Sequence, residues 1–356
     1  MVKYLLHLQV EKTEVFTWTG VLPPEAPTSM KLAGVVVDDL FLPGMMVYGI
    51  PVGTDQYVRH MLDEVVENIP SEVSKVEELL QGDSQAMWAI LNSSLAHKLD
   101  WHLTLCYPSD MKEAATKLDS KLWSMLEKIS RCSIPRVVDQ HQRGAYSADC
   151  VLQVPNVDWA NGHSFQQLLV PQPIKLGGFG LRSLVETSPA AYVGGVEMTL
   201  PHFTGEGGIC PLLQDVVGLV SGTERWSSFL SAKSRTAQEF QTSWVSMQSE
   251  CLQNAAYLGT DLGLPMSLVV EKAGESSLDR STRRKLVQQR EGLRQEVLAK
   301  ALKEHNDRFA RPVTVYPNFD KLSGAWLLSL PGPNTGIPTA LFCEAMAAHL
   351  CLKSPK

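Results

Sequence analysis

One stretch near the amino terminus sets the fold class of this chain: residues 54–69 read TDQYVRHMLDEVVENI. Apolar side chains recur here every three or four residues, from Val58 to Ile69, and acidic side chains fall between them. A period of 3.6 residues is typical of an amphipathic helix with one buried face. The same period continues in further segments up to Ser130. We therefore predict four helices with short connections that bury a shared core, as in a helical bundle.

Residues that break or cap helices divide these segments. Pro70 ends the first helix and opens the second, and Asp83 is a good N-cap for the third. We predict the third as one long helix, with its apolar face running from Met87 to Leu103. The break at Pro108 separates it from a fourth helix with apolar positions from Met111 to Ile129.

The first 53 residues have the pattern of β-structure. The apolar runs Leu32 to Val37 and Met45 to Ile50 alternate with Pro, Gly and Asp, which favour turns. Beyond residue 132 the pattern is less regular, with helical periods near residues 226–258, 279–308 and 339–350. The predicted fold class is α+β and mainly α. It places short β-hairpins in residues 1–53, a helical bundle in 54–132, and a mostly helical region in 133–356.

Composition excludes several classes of protein. Apolar residues make up 44% and charged residues 20% of the chain, which is typical of a folded globular protein. A formal net charge of −6 excludes a wholly basic nucleic-acid coat, but not a local basic face. Seven scattered cysteines without a C-x-x-C pair argue against a disulfide framework or a closed zinc site. With no signal peptide and no membrane-length apolar run, we expect an intracellular protein, nuclear or cytoplasmic, without a membrane partner.

Asp38-Asp39 is a candidate metal site. Paired aspartates at the end of a strand can hold two divalent ions for phosphoryl transfer. The alternative is a turn between Val37 and Phe41, because Asp is a favoured turn residue. We favour the turn, since no third carboxylate lies in a suitable place before it.

A glycine-rich motif, KLGGFGLRS, occupies residues 175–183. It is not a dinucleotide-binding loop, because the third glycine of that pattern would fall at Ser183 and no buried strand precedes it. One interpretation is a close backbone approach to another chain or to a phosphate, flanked by Lys175 and Arg182. The other is a tight turn that packs helices together. The sequence leaves both open.

Two other segments could meet phosphates. Ser188-Pro189 has the pattern of a helix start, whose positive end could face an anion. From Arg280 to Arg311 the chain carries ten basic and four acidic residues, which favours a nucleic-acid-facing surface over an evenly charged helix. For both segments a purely structural role is the alternative, namely an ordinary cap and an exposed helix with mixed ion pairs.

Several blocks, taken in order, resemble the region that follows the catalytic aspartates in retrotransposon reverse transcriptases of the type without long terminal repeats. Residues 10–15, VEKTEV, look like the lysine-bearing strand of that family. Residues 46–53, MVYGIPVG, are similar to its primer-grip hairpin. The helices of residues 54–130 would then be the thumb. The later blocks are PIKLGGFGLRS at 173–183, SPAAY at 188–192, RPVTV at 311–315 and AWLLSLPGP at 325–333.

This resemblance implies roles for individual residues. Lys12 would be the catalytic residue that assists the leaving pyrophosphate, and Tyr48 and Gly49 would hold the primer end. The residues expected to contact nucleic-acid phosphates are Lys175, Gly177, Gly178, Arg182, Arg283, Arg284 and Lys285.

The family pattern places the catalytic aspartates before the lysine strand, whereas Asp38-Asp39 follows Lys12. The metal-holding carboxylates would therefore be encoded ahead of Met1. We expect no metal or cofactor in this chain, although the intact enzyme would use Mg²⁺. The expected partners are an RNA/DNA primer–template and the missing palm and fingers part. The alternative is a non-enzymatic helical nucleic-acid-binding or scaffold protein derived from a transposable element.

Overall fold

The computed structural model describes residues 14–22, 24–26, 30–80, 82–132, 134, 170–171, 174, 178–204, 234–260, 290, 292–297, 300, 327 and 336–349. Short strands come first and helices follow, so the predicted α+β, mainly α class is confirmed.

The amino-terminal strands form two small sheets. β1 (Glu14–Val15) and β2 (Lys31–Leu32) pair in parallel. β3 (Gly34–Val37), β4 (Leu40–Val47) and β5 (Ile50–Gly53) form an antiparallel sheet in the order β3-β4-β5. The run predicted from Met45 to Ile50 is therefore the end of one strand, a turn, and the start of the next.

Asp38 and Asp39 form the turn between β3 and β4. Both have a left-handed backbone, with φ of 48° and 64°, and the flanking residues Val37 and Leu40 pair directly. Two residues with positive φ make the turn type that matches the twist of a hairpin. The turn interpretation of this pair is confirmed.

The helical bundle begins directly after the sheet. α1 (Asp55–Glu67) is capped by the Thr54 hydroxyl, and its buried side chains include Leu62 and Val66. α2 (Ile69–Leu80) follows after one residue, as Pro70 predicts. The Asp83 carboxylate caps α3 (Ser84–Ser93) by accepting the amides of Gln85 and Ala86, which confirms that N-cap.

The single long helix predicted through residues 87–103 is wrong. The chain instead forms α3, a 3₁₀ turn at Leu95–His97, and the short helix α4 (Asp100–Leu105). The break follows the sequence Asn-Ser-Ser, and the Ser93 hydroxyl bonds the Ala89 carbonyl. Such side chains compete with the backbone for hydrogen bonds and weaken a helix. α4 is consequently a separate helix, which packs against β5 and a later helix.

The longest amino-terminal helix, α5 (Pro108–Ser130), confirms the prediction for that segment. α6 (Leu184–Thr204) packs against both α4 and α5. Its Gly195 makes this close approach to α4 possible, because a Cβ there would lie 2.0 Å from the Thr104 carbonyl oxygen. The remaining helices are α7 (Arg235–Leu258), which packs on α6, and α8 (Thr339–His349), which packs on α3 and α5.

The predicted helix start at Ser188-Pro189 is wrong, since α6 begins one turn earlier at Leu184. The reason is a cap from another helix. Asp119 of α5 accepts the Leu184 amide at 2.9 Å and the Val185 amide at 3.4 Å. The positive end of α6 therefore already faces a carboxylate.

One apolar core runs through the described helices. It contains Ile50 from the sheet, the inner faces of α1 to α5, and later residues such as Phe179, Leu327 and Phe342. The Trp88 indole N–H donates to the Leu327 carbonyl at 2.9 Å. Residues on both sides of the predicted boundaries at residues 53 and 132 thus pack in the same core. In the described part of the chain, no helix is apolar over the length that a bilayer crossing needs.

Candidate nucleic-acid interface

The tip of the β4–β5 hairpin is the turn Tyr48-Gly49. Val47 pairs with Ile50, so the turn contains only these two residues, with φ of 51° and 82°. Glycine adopts a left-handed backbone easily, whereas for a bulky side chain it is a strained outlier. Tyr48 is 98% exposed, so the two-residue hairpin turn, and not packing of its side chain, imposes this backbone. Strain of this kind is often found at functional positions.

The hairpin tip is attached to the bundle by His102 of α4. The His102 Nε2 lies 3.0 Å from the Gly49 carbonyl oxygen. A carbonyl only accepts, so Nε2 carries the proton. Burial lowers the pKa of His102, against a smaller opposite effect of its hydrogen bond to Gly49. The ring is therefore neutral at pH 7. Its Nδ1 is buried without a partner among the described residues.

Asp100, the first residue of α4, holds Arg182. The guanidinium of Arg182 donates to the Asp100 carboxylate at 3.0 Å, and His97 Nδ1 lies 2.7 Å from the same oxygen. Arg182 stays 41% exposed. α4 thus contacts two sites that were predicted separately, the Tyr48-Gly49 turn through His102 and Arg182 through Asp100.

Between these two contacts lies Trp101, which is 58% exposed. Successive helical residues are 100° apart, so its side chain leaves α4 midway between those of Asp100 and His102. We call Tyr48, Gly49, Trp101 and Arg182 the hairpin-tip surface. It combines two exposed aromatic rings with one guanidinium, a combination suited to stacking on bases and contacting a phosphate.

Sequence reasoning missed Asp100, Trp101 and His102. The histidine carries no motif, and its partner Gly49 lies 53 positions away. Of the three, only Trp101 could have drawn attention, because it stands among polar residues while large aromatic side chains are usually at least partly buried.

The glycine-rich motif lies mainly inside the protein. Gly178 and Phe179 are buried, and the Phe179 ring packs edge to face on Trp88 at a centroid distance of 5.6 Å. Gly180 has a φ of 73°, and the Leu181 amide donates to the Val170 carbonyl. This favours the helix-packing turn for the middle of the motif, and leaves Arg182 as its exposed end. Lys175 and Gly177 lie outside the described residues.

The basic segment is described only at residues 290, 292–297 and 300. Arg290 and Arg294 are buried there, and both bond the Glu250 carboxylate of α7, Arg290 at 2.6 Å. Arg294 also pairs with Glu186 of α6 at 2.9 Å. These two arginines join helices rather than face outward. Arg283, Arg284 and Lys285 lie outside the described residues, as does Lys12.

Many other described cations are also neutralised. Arg59 and Arg235 both pair with the buried Asp110, at 3.0 and 2.8 Å, and the Arg235 guanidinium stacks over the Tyr107 ring. Lys117 pairs with Asp63 and Glu113. Within the described residues, no cluster of His, Cys, Asp and Glu could hold a metal ion.

The chain matches no family model, no curated protein and no solved structure.

Proposed function

We propose that this chain is the carboxy-terminal part of a retrotransposon reverse transcriptase, an RNA-directed DNA polymerase. It comprises the end of the palm, the thumb and a connection region. In this proposal it grips an RNA/DNA primer–template but lacks the catalytic aspartates. Mg²⁺, which the intact enzyme would need, belongs to carboxylates outside this chain.

One observation carries the proposal: a fully exposed tyrosine is kept in a strained backbone at the tip of a hairpin, and a helical bundle holds that tip. The order hairpin, then bundle, is the order that the resemblance implies. Trp101 lies on the helix that holds the tip, and Arg182 is bound to the same helix, so this helix carries a second exposed ring and a cation. Stacking on bases needs no sequence preference, which suits a polymerase.

The test is the binding of a labelled primer–template duplex by the purified chain, measured by fluorescence anisotropy between 50 and 200 mM salt. We expect steeply salt-dependent binding. Tyr48→Ala should weaken it roughly tenfold, the usual cost of one lost stacking contact. Trp18→Ala is the matched control, because Trp18 is also exposed but lies outside the hairpin-tip surface.

The basic segment is tested in the same assay. If Arg283 and Arg284 contact phosphates, then Arg283→Ala/Arg284→Ala should lower the slope of log affinity against log salt by about 2. No binding at 50 mM salt would sink the proposal. Incorporation of deoxynucleotides by this chain, abolished by a substitution within it, would refute the absence of polymerase activity.

A second candidate is a non-enzymatic helical scaffold protein derived from a transposable element. The observation that favours it is the ion pairing of the described cations, Arg290 and Arg294 above all. A scaffold would bind another protein instead of nucleic acid. It would do so through the exposed apolar side chains of the hairpin. Absence of duplex binding by a well-folded chain would support it.

A further inference from the structure

The hairpin tip is an exposed turn next to a buried strand. Tyr48 and Gly49 are both exposed, whereas the next residue, Ile50, is buried in the core. The turn thus projects from an anchored strand. Among the residues that the structure describes, a hydrogen bond from His102 to the Gly49 carbonyl links it to the bundle.

The helix that provides His102 is itself held in place. Gly195 of α6 lies directly against the Thr104 carbonyl, and Arg182 binds Asp100 at the other end of α4. α4 has only six residues and no side-chain cap at its start. Its position therefore depends on these neighbours, and it can act as a fixed support for the turn.

We infer that His102 is the positioning residue of the hairpin-tip surface. Its Nε2–H holds the Gly49 carbonyl and so attaches the turn that carries Tyr48 to α4, the helix that carries Trp101 and binds Arg182. The hydrogen bond that holds the turn does not depend on the proposed function. Its consequence for nucleic-acid binding rests on the proposed function.

Amide hydrogen exchange of the full chain tests directly whether His102 holds the turn. His102→Leu keeps an apolar side chain but removes the donor, and exchange in residues 46–50 should rise about three- to tenfold, as one lost hydrogen bond allows. His102→Gln places an amide N–H near the position of Nε2 and should restore slow exchange. The control His60→Leu changes a partly exposed histidine of α1 and should leave these amides unchanged.

The wild-type chain offers a test that needs no variant. Long-range ¹H–¹⁵N spectra should show His102 as the neutral ring protonated at Nε2. A ring protonated at Nδ1 would overturn the inference, as would unchanged exchange in a folded His102→Leu chain.

Duplex binding then separates the inference from the proposed function. If His102→Leu weakens binding several-fold and His102→Gln restores it, both are supported. If His102→Leu loosens the turn but the wild-type chain binds no duplex, the positioning role stands and the proposed function fails. If binding is normal while exchange rises, the link between turn position and binding is overturned.

Discussion

The hairpin-tip surface and the Glu250 cluster use charged and aromatic side chains in opposite ways. At the tip, Tyr48 is exposed and strained, and a single histidine donates to its turn. At the cluster, Arg290 and Arg294 are buried and share the Glu250 carboxylate. Both segments were predicted to meet nucleic acid. Only the first exposes side chains that could do so in the described part of the chain.

The difference shows why local charge is a weak guide to binding. A basic helix can turn some of its cations inward when a neighbouring helix supplies a carboxylate, and the cations then stabilise the fold. An aromatic residue at the tip of a turn has no such partner. Exposure of a side chain in the folded protein, and not the local charge of the sequence, therefore decides whether the residue is available for binding.

The largest expected effect concerns the buried cluster. Glu250→Ala leaves two buried guanidinium groups without their shared carboxylate, and should lower the free energy of unfolding by about 3 kcal/mol or more. The control is Glu113→Ala, which removes an exposed partner of Lys117 and should cost less than about 1 kcal/mol. Urea denaturation measures both. If Glu250→Ala and Glu113→Ala lower the free energy of unfolding equally little, then Arg290 and Arg294 are free to face outward.

The second effect concerns Asp119, a partly buried carboxylate that caps a helix. Burial raises the pKa of Asp119 to about 6, although hydrogen bonds from Leu184, Ser183 and Val185 oppose the shift. The folded chain thus binds a proton more tightly than the unfolded chain, whose pKa is near 3.8. This contribution to stability is present below about pH 4 and is lost as the pH rises through 6.

Asp119→Asn removes this titration but keeps an oxygen that can accept the Leu184 amide. Between pH 5 and pH 7.5 the wild type should therefore lose about 1 kcal/mol of stability relative to the variant. Unfolding free energies at the two pH values provide the measurement. A constant difference between the two proteins would contradict the prediction.

The smallest effect sharpens the contrast at the hairpin tip. Tyr48→Asn puts a residue that tolerates the left-handed backbone into the turn, and should stabilise the protein by about 0.5–1 kcal/mol while weakening duplex binding. Asp38→Asn, in the other two-residue turn, is the control and should change stability by less than about 0.5 kcal/mol. If Tyr48→Asn destabilises the protein, the tyrosine has a structural role instead.

Much of the fold could be predicted because it depends on nearby residues. The apolar period of α1 and α5, the Asp83 cap and the Asp38-Asp39 turn all follow from side chains within a few positions of one another. The start of α6 could not, because its cap comes from Asp119 on another helix. The break between α3 and α4 lay within the reach of sequence reasoning, since Asn92, Ser93 and Ser94 are weak helix formers.

The sequence by itself determined the class of fold and the order of strands and bundle. Only the tertiary structure decided which charges face inward and what supports the tip. The bond from His102 to Gly49 spans 53 positions, and that from Arg290 to Glu250 spans 40. Contacts of this length depend on how the helices pack together. No local pattern in the chain encodes that packing.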